Sequence, residues 1–282
     1  MNQSEKLKYF AVALDPIHIG SGGYRLGRVE NTIVREPTTD IPKIPGTSLA
    51  GVIREYARIH LEETNREDAE EELKKCFGDE NRQGMLRIHD GQILFFPVSS
   101  IQGTVWITTG ELLNYWLGDS KDIEIKDEDK VYAFKGIDAS RPLNLGWLLL
   151  EINVVKGVTL PSELDRFIKR AVLVSERLFS QIINDNLEVR TSVRIDTETG
   201  TAKEGLLFTY EAMPRGTVFG FEIIVDMRRG TGAFEPLIKA TFPYMQLLGI
   251  GGMGTRGFGR IDVSELADSR DNESRNGGAS ND

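Results

Sequence analysis

Thirteen residues near the end of the chain, "LGIGGMGTRGFGR" from Leu248 to Arg260, carry six glycines. No other stretch limits the fold so tightly. Glycine weakens a helix by about 1 kcal/mol per residue and gives a strand no side chain to pack. A segment this rich in it can continue neither element. It must close the helix-period run "AFEPLIKATFPYMQLL" and turn the chain into the strand-like "GFGRIDV". Three readings fit. The first is a turn of left-handed residues that only ends the helix. The second is a dinucleotide-binding loop, but that fingerprint follows an early strand and opens a helix, the reverse of the order here. In the third, bare backbone at Gly251, Gly252 and Gly257 lets main-chain N–H groups approach an anion, and Arg256 and Arg260 add charge. The residue pattern leaves the first and third open.

Ahead of this turn the chain alternates between strand and helix periods. Lys8–Leu14 reads as a first strand and 20–45 as loop. "GTSLAGVIREYARIHLEE" reads as a helix capped by Thr47 or Ser48, with Leu49, Val52, Ile53 and Tyr56 on its apolar face. "GQILFFPVSS" and "GWLLLEINVV" read as strands, and "GELLNYWLG" as a short helix. Leu164, Phe167, Ile168, Ala171, Val174, Leu178 and Ile182 are spaced for one long helix over 160–183. Val189, Thr191, Val193 and Ile195, then Leu206, Phe208 and Tyr210, alternate across a turn-rich loop and predict a β-hairpin over about 188–212. "GTVFGFEIIVDM" is a further strand. Residues 265–282 are polar and read as a disordered tail.

This order predicts an α+β fold: one domain over 1–264 built on a ferredoxin-like or RRM-like sheet, with long insertions at about 55–90 and 110–145. A doubly wound parallel sheet is the competitor, and the hairpin counts against it. No apolar run is long enough to span a bilayer, so no membrane partner is expected and a cytoplasmic location is. A single cysteine, Cys76, and three scattered histidines, His18, His60 and His89, exclude a structural zinc site.

The net charge of −9 argues against a simple nucleic-acid binder, but the charge is unevenly spread. Residues 62–80 carry a net −6, and 119–130 and 264–282 carry −3 each, which leaves the remaining chain at +3. "PKIPGTSLAGVIRE" adds a second anion-competent turn: free N–H groups at a helix start around Thr47 and Ser48, with Lys43 before it and Arg54 two turns in.

"HIGSG" at His18–Gly22, "IPGTSLAGVIRE" at Ile44–Glu55, "FPVSSIQGTVWITT" at Phe96–Thr109 and "GGMGTRGFGR" at Gly251–Arg260 occur in that order. Together they resemble the RAMP superfamily of CRISPR proteins, and more narrowly the repeated backbone subunit of Cmr-type (type III-B) interference complexes. "VRTSVRIDTETGTAKEGLLFTYEAMPRGT" at 189–217 is also similar to that subunit, and the likeness runs from about Ala11 to Val263. The resemblance implies a modified RRM-like (RAMP) palm with a β-hairpin thumb. It implies CRISPR RNA, target RNA, copies of the chain in a filament and other subunits of a Cmr-type complex as partners. The residues expected to hold RNA are then Lys43, Thr47, Ser48, Arg54, Gly251, Gly252, Arg256, Gly257 and Arg260. Leu206, Phe208 and Met213 are the candidates for a wedge that replaces base stacking at the thumb.

In such subunits the loop matching "GRVENTIVREP" at 27–37 carries an aspartate required for cutting target RNA, and the aligned residue here is Glu30. Glu30 is the expected catalytic residue and ligand of Mg²⁺ or another divalent cation. His18 is expected to assist proton transfer, with Tyr210 and Glu211 behind it. Ala50 stands where the family pattern has lysine, which removes one phosphate contact. Three functions compete: a guide-bound subunit that cleaves by attack of a 2′-hydroxyl on the adjacent phosphate, a scaffold with the same contacts and no chemistry, and an unrelated nucleotide- or metabolite-binding enzyme.

Overall fold

In the first strand, β1 (Ser4–Ala13), Tyr9, Ala11 and Ala13 enter one hydrophobic cluster, while Phe10 and Val12 enter a second. Alternate side chains point to opposite faces of a strand, so this sheet is covered on both sides. The computed structural model describes residues 4–24, 29–118, 125, 127–195, 202–229 and 234–266. After β1 come three short strands, β2 (Gly20–Tyr24), β3 (Asn31–Ile33) and β4 (Lys43–Ile44). Helices α1 (Gly46–Glu63) and α2 (Ala69–Phe77) lead to β5 (Leu86–Ile88), β6 (Gly91–Ser100), β7 (Gly103–Thr108) and α3 (Gly110–Leu117). Then follow β8 (Val131–Lys135), β9 (Leu143–Leu145), β10 (Leu148–Leu150), β11 (Ile152–Val154), α4 (Ser162–Phe167), β12 (Ala171–Leu173) and α5 (Glu176–Asp185). The described chain closes with β13 (Glu188–Ile195), β14 (Ala202–Ala212), β15 (Val218–Asp226), α6 (Phe234–Leu247) and β16 (Ile261–Glu265).

Ten strands form the main sheet, along the path β11-β8-β12-β7-β6-β15-β1-β16, with β4 joined to β6 and β5 to β15. β1 runs antiparallel to both β15 and β16, and β15 antiparallel to β6. α1 and α6 pack on one face, where the Tyr56 and Tyr244 rings stack at 5.7 Å. Leu113 and Trp116 of α3 and Leu164 of α4 join the cluster on the other face. Among the described residues, no helix is long and apolar enough to cross a membrane.

The predicted hairpin forms as β13 and β14, with Arg190 opposite Tyr210 and Ser192 opposite Phe208. It belongs to a separate four-stranded sheet, β13-β14-β3-β2. Five expectations need correction. The segment 20–45, read as loop, holds β2 and β3, which join the four-stranded sheet, and β4, which joins the main one, through backbone pairing that its turn-rich composition does not show. The long helix over 160–183 is broken: Ile168 is extended, and Ala171–Leu173 insert between β7 and β8 as a fully buried strand. An apolar run reads alike as buried helix and buried strand, and Ser175 then caps the second helix with its side chain. The predicted strand over 146–155 divides into β10, paired with β9, and β11, paired with β8. The helix after Ile44 is not capped by Thr47 or Ser48; Pro45 is its cap residue, and the Gly46 N–H donates to Asp90 Oδ1 at 2.7 Å. Residues 265–266 do not belong to the tail, because Leu266 is buried and its N–H bonds the Lys8 carbonyl at 2.8 Å. The remainder of that predicted tail, 267–282, lies outside the described residues.

Gly220, in the middle of β15, makes room for the Trp116 ring: a Cβ there would lie 2.6 Å from Trp116 Cε2. Overpacking a filled core costs about 1–3 kcal/mol. Gly220→Ala is expected to lose that much stability in urea unfolding, and shortening the ring with Trp116→Leu in the same chain is expected to recover part of it.

Candidate nucleic-acid interface

The Gly-rich loop divides into glycines that build it and glycines that open it. Gly249, Gly251, Gly257 and Gly259 all have positive φ. At Gly251 a Cβ would meet the His18 carbonyl at 2.7 Å, and at Gly259 the Ile250 carbonyl at 2.4 Å, so these positions admit no side chain. Around Gly257 nothing lies within 4 Å, and at Gly252 and Gly254 the nearest atoms are 3.6 and 3.8 Å away. Met253, at φ 69°, also takes the left-handed region. Gly252 donates to the His18 carbonyl at 3.0 Å and Gly259 to the Pro16 carbonyl at 3.0 Å, which fastens the loop to the segment after β1.

The two arginines differ. Arg260 makes a two-pronged contact with Asp15, at 2.6 and 3.1 Å. The Arg260 hydrogen bond holds the Asp15 carboxyl below its usual range, and the charges of Arg260, Arg215 and Arg190 add to this against a burial penalty. Arg256 has no carboxylate partner among the described residues. Its Nη1 reaches the Tyr210 hydroxyl at 3.2 Å and Ser192 Oγ at 3.5 Å, and its guanidinium lies 5.9 Å from the Tyr210 ring centre. In return, Arg190 of β13 sits 4.7 Å over the Phe258 ring. Two reciprocal cation–π contacts thus join the Gly-rich loop to the base of the hairpin.

The opposite edge of β14 holds the Glu30 loop. The Glu30 N–H donates to Thr209 Oγ1 at 3.0 Å, and Asn31 Nδ2 to the Thr209 carbonyl at 3.3 Å. Glu30 Oε2 is buried and has no hydrogen-bond partner. Next to it, Arg35 Nη2 donates to Glu211 Oε1 at 2.6 Å, while Glu211 Oε2 accepts from the Ile33 N–H at 3.2 Å. His18 is buried and its Nδ1 lies 2.7 Å from the Glu211 carbonyl. A carbonyl only accepts, so Nδ1 carries the proton. The ring meets Tyr210 edge-on at 5.7 Å, and Gly20 leaves space beside Nε2, since a Cβ there would stand 3.4 Å away.

The structure therefore brings Glu30, His18, Gly251, Gly252, Arg256 and Gly257 around one end of β14. The start of α1 stands apart. Lys43 is held by Glu36 and Asp90, each at 2.7 Å, and Asp90 already accepts from the first N–H of the helix. Thr47 is exposed and Ser48 half-buried. Arg54, exposed and without an ion pair among the described residues, lies further along α1, where the Tyr56 hydroxyl donates to the Gly249 carbonyl at 2.5 Å. Of the wedge candidates, Phe208 is half-buried, and the side chain of Leu206 lies outside the described residues. Met213 is corrected: it is fully buried and paired with Ile17, so it cannot reach a base. Asp15, Arg35, Arg190 and Phe258 were not foreseen. Arg190 lies within the predicted hairpin, and its register, known only from the structure, sets it opposite Tyr210.

The sequence pattern of the RAMP superfamily matches residues 10–262. The protein named CRISPR system Cmr endoribonuclease Cmr4, from Pyrococcus furiosus, is 29% identical over 283 residues, covering 90% of this chain and 94% of that one. A chain of the type III-B Cmr-beta complex bound to cognate target RNA superposes with a TM-score of 0.70 at 21% identity, covering 93% of this chain and 97% of its own. A crystal structure of Cmr4 superposes with a TM-score of 0.67 at 23% identity, covering 94% and 100%. The oligomeric Cmr4 of Pyrococcus furiosus gives 0.58 at 23%, covering 93% and 99%. At these identities the superpositions establish a shared fold.

A carboxyl with a lowered folded-state pKa adds stability above its unfolded value, near 4, and loses it as pH falls through the folded value. Asp15→Asn is accordingly expected to lower the melting temperature at pH 7 by about 1–3 °C, for a partly exposed pair. The gap between the two proteins is expected to narrow in a thermal melt series once pH falls below the ordinary carboxylate range, as Asp15 takes up its proton.

Proposed function

The chain belongs to the RAMP superfamily, and from that premise we propose that it is the repeated backbone subunit of a type III-B CRISPR effector, which polymerises along CRISPR RNA and cleaves bound complementary RNA at regular spacing. The observation that carries this reading is the convergence of the Gly-rich loop, the hairpin base and the Glu30 loop at one end of β14. The name and extent of the Pyrococcus furiosus relative support it. In this reading β6-β15-β1-β16, with α1 and α6 as crossovers, is the ferredoxin-like palm, and the β13–β14 hairpin is the thumb.

The open backbone at Gly252, Gly254 and Gly257 admits a phosphodiester closely, and Arg256 contributes the charge. Phe208, on the thumb hairpin, separates bases. A divalent cation fits this site on one condition. Among the described residues, no group of three His, Cys, Asp or Glu could hold a metal, so a resident ion held by protein alone does not fit. The unpartnered Glu30 Oε2 fits Mg²⁺ that arrives with RNA, because Mg²⁺ takes one or two carboxylates plus substrate phosphates. Bound there, the ion would supply charge stabilisation at the phosphate. Glu30 orients the reacting strand, and His18, with Nδ1 committed to Glu211, offers Nε2 for the 2′-hydroxyl proton.

The second reading is a catalytically silent scaffold with the same RNA contacts. It is favoured by glutamate at the position where the family's aspartate is expected. The test uses the assembled complex with its guide and a labelled complementary RNA in Mg²⁺. Regularly spaced products from the native chain that vanish with Glu30→Ala, at unchanged target binding, are expected. An intact target bound equally well by both proteins overturns the cleavage reading and leaves the scaffold.

A further inference from the structure

Cations on this chain separate into two groups. Arg35, Lys43, Lys135, Arg228 and Lys239 each close an ion pair. Arg166, Lys169, Arg170 and Arg215 close none among the described residues, and the backbone at Arg166, Arg170 and Arg215 borders one pair of aromatic rings. Trp106 and Phe167, both half-buried, meet edge-on at 5.4 Å. Trp106 Nε1 donates to the Gly216 carbonyl at 2.9 Å, and a Cβ on Gly216 would stand 3.7 Å from both rings. The turn that displays Arg215 therefore rests on this pair. Arg166 precedes Phe167 on α4. Arg170 accepts the Trp106 N–H on its carbonyl at 2.9 Å, and its Nη1 would stand 3.2 Å from a Cβ on Gly103.

This cluster is continuous with the Gly-rich loop. Arg215 and Arg190 both act on the charge of Asp15, which is bonded to Arg260. Of the acids beside it, Asp165 is held by Lys135, Asp15 by Arg260, and Glu163 and Asp138 lie in the fields of Arg166 and Arg141. Arginines whose backbone borders partly open aromatic faces suit a nucleic-acid single strand, whose phosphates take the charge and whose bases stack.

We propose that Arg166, Arg170 and Arg215, set around Trp106 and Phe167, form a second phosphate-contacting segment for single-stranded RNA extending from the Gly-rich loop. The proposal rests on the RNA-binding reading above, and the experiment separates the two. Binding of a fluorescein-labelled single-stranded RNA to the full chain is measured across a salt series. The proteins compared are native, Arg256→Gln, and the triple variant Arg166→Gln, Arg170→Gln, Arg215→Gln. Each phosphate contact on a single strand contributes about 0.7 to the slope of log K against log salt, so the triple variant is expected to bind more weakly with a slope shallower by about 2. If the triple variant misfolds, Arg215→Gln alone, in an exposed turn, is expected to shift the slope by about 0.7. A native slope in the triple variant with weakened binding in Arg256→Gln overturns this segment and leaves the function standing. Native binding in both variants overturns both. Loss of poly-glutamate binding with RNA binding intact also overturns the segment, in favour of an acidic protein partner.

Discussion

Everything at this end of the molecule hangs on the six residues after β1. Asp15 N–H bonds the Arg260 carbonyl, Ile17 exchanges two main-chain bonds with Met213, and the Pro16 and His18 carbonyls take the N–H groups of Gly259 and Gly252. His18 adds its side chain to the Glu211 carbonyl, and the Ile19 carbonyl accepts from Val34. One extended segment thus ties the Gly-rich loop, the end of the hairpin and the strand beyond Glu30 to the same backbone. Main-chain bonds of this kind tolerate little displacement, since buried N–H and C=O groups left unpaired cost about 1–3 kcal/mol each. The close approach also explains the glycines. Gly251 lies against the His18 carbonyl at a distance that no side chain permits.

Much of this was legible in the sequence where a local period governs. The hairpin alternation survives as β13 and β14, and the glycine run does close α6. Legibility ended where a distant residue decides. Asp90 takes the first N–H of α1 from 44 positions away, a partner that no capping pattern could name. The run around Ala171–Leu173 has helical spacing, yet two flanking strands claim it for the sheet. At the site, the residue types were visible and their commitments were not. Arg260 looked like a phosphate ligand and is engaged by Asp15, whereas Arg256 keeps its charge available. The two open readings of the Gly-rich stretch also prove compatible: Gly249, Gly251 and Gly259 are structural, and Gly252, Gly254 and Gly257 leave the backbone open.

Coupling within the site has a consequence for chemistry. Arg256 on Tyr210 and Arg190 on Phe258 set the hairpin against the loop, and Thr209, one residue from Tyr210, holds Glu30. On the proposed reading, a strand of RNA seated on the loop and wedged by the hairpin would meet Glu30 at a position fixed by β14 itself. In-line attack is demanding, and an error of about 1 Å can cost a hundredfold in rate. Glutamate reaches one methylene further than aspartate from the same backbone. The hub after β1 cannot shift to absorb that length without breaking its main-chain bonds. The Glu30 loop has more room to adjust: among the described residues its ties to β14 are the Thr209 contacts and the bridge at Asn31. Whatever accommodates the longer carboxylate must therefore lie in this loop, between the bonds that Thr209 makes and the Arg35–Glu211 pair that anchors the strand beyond it.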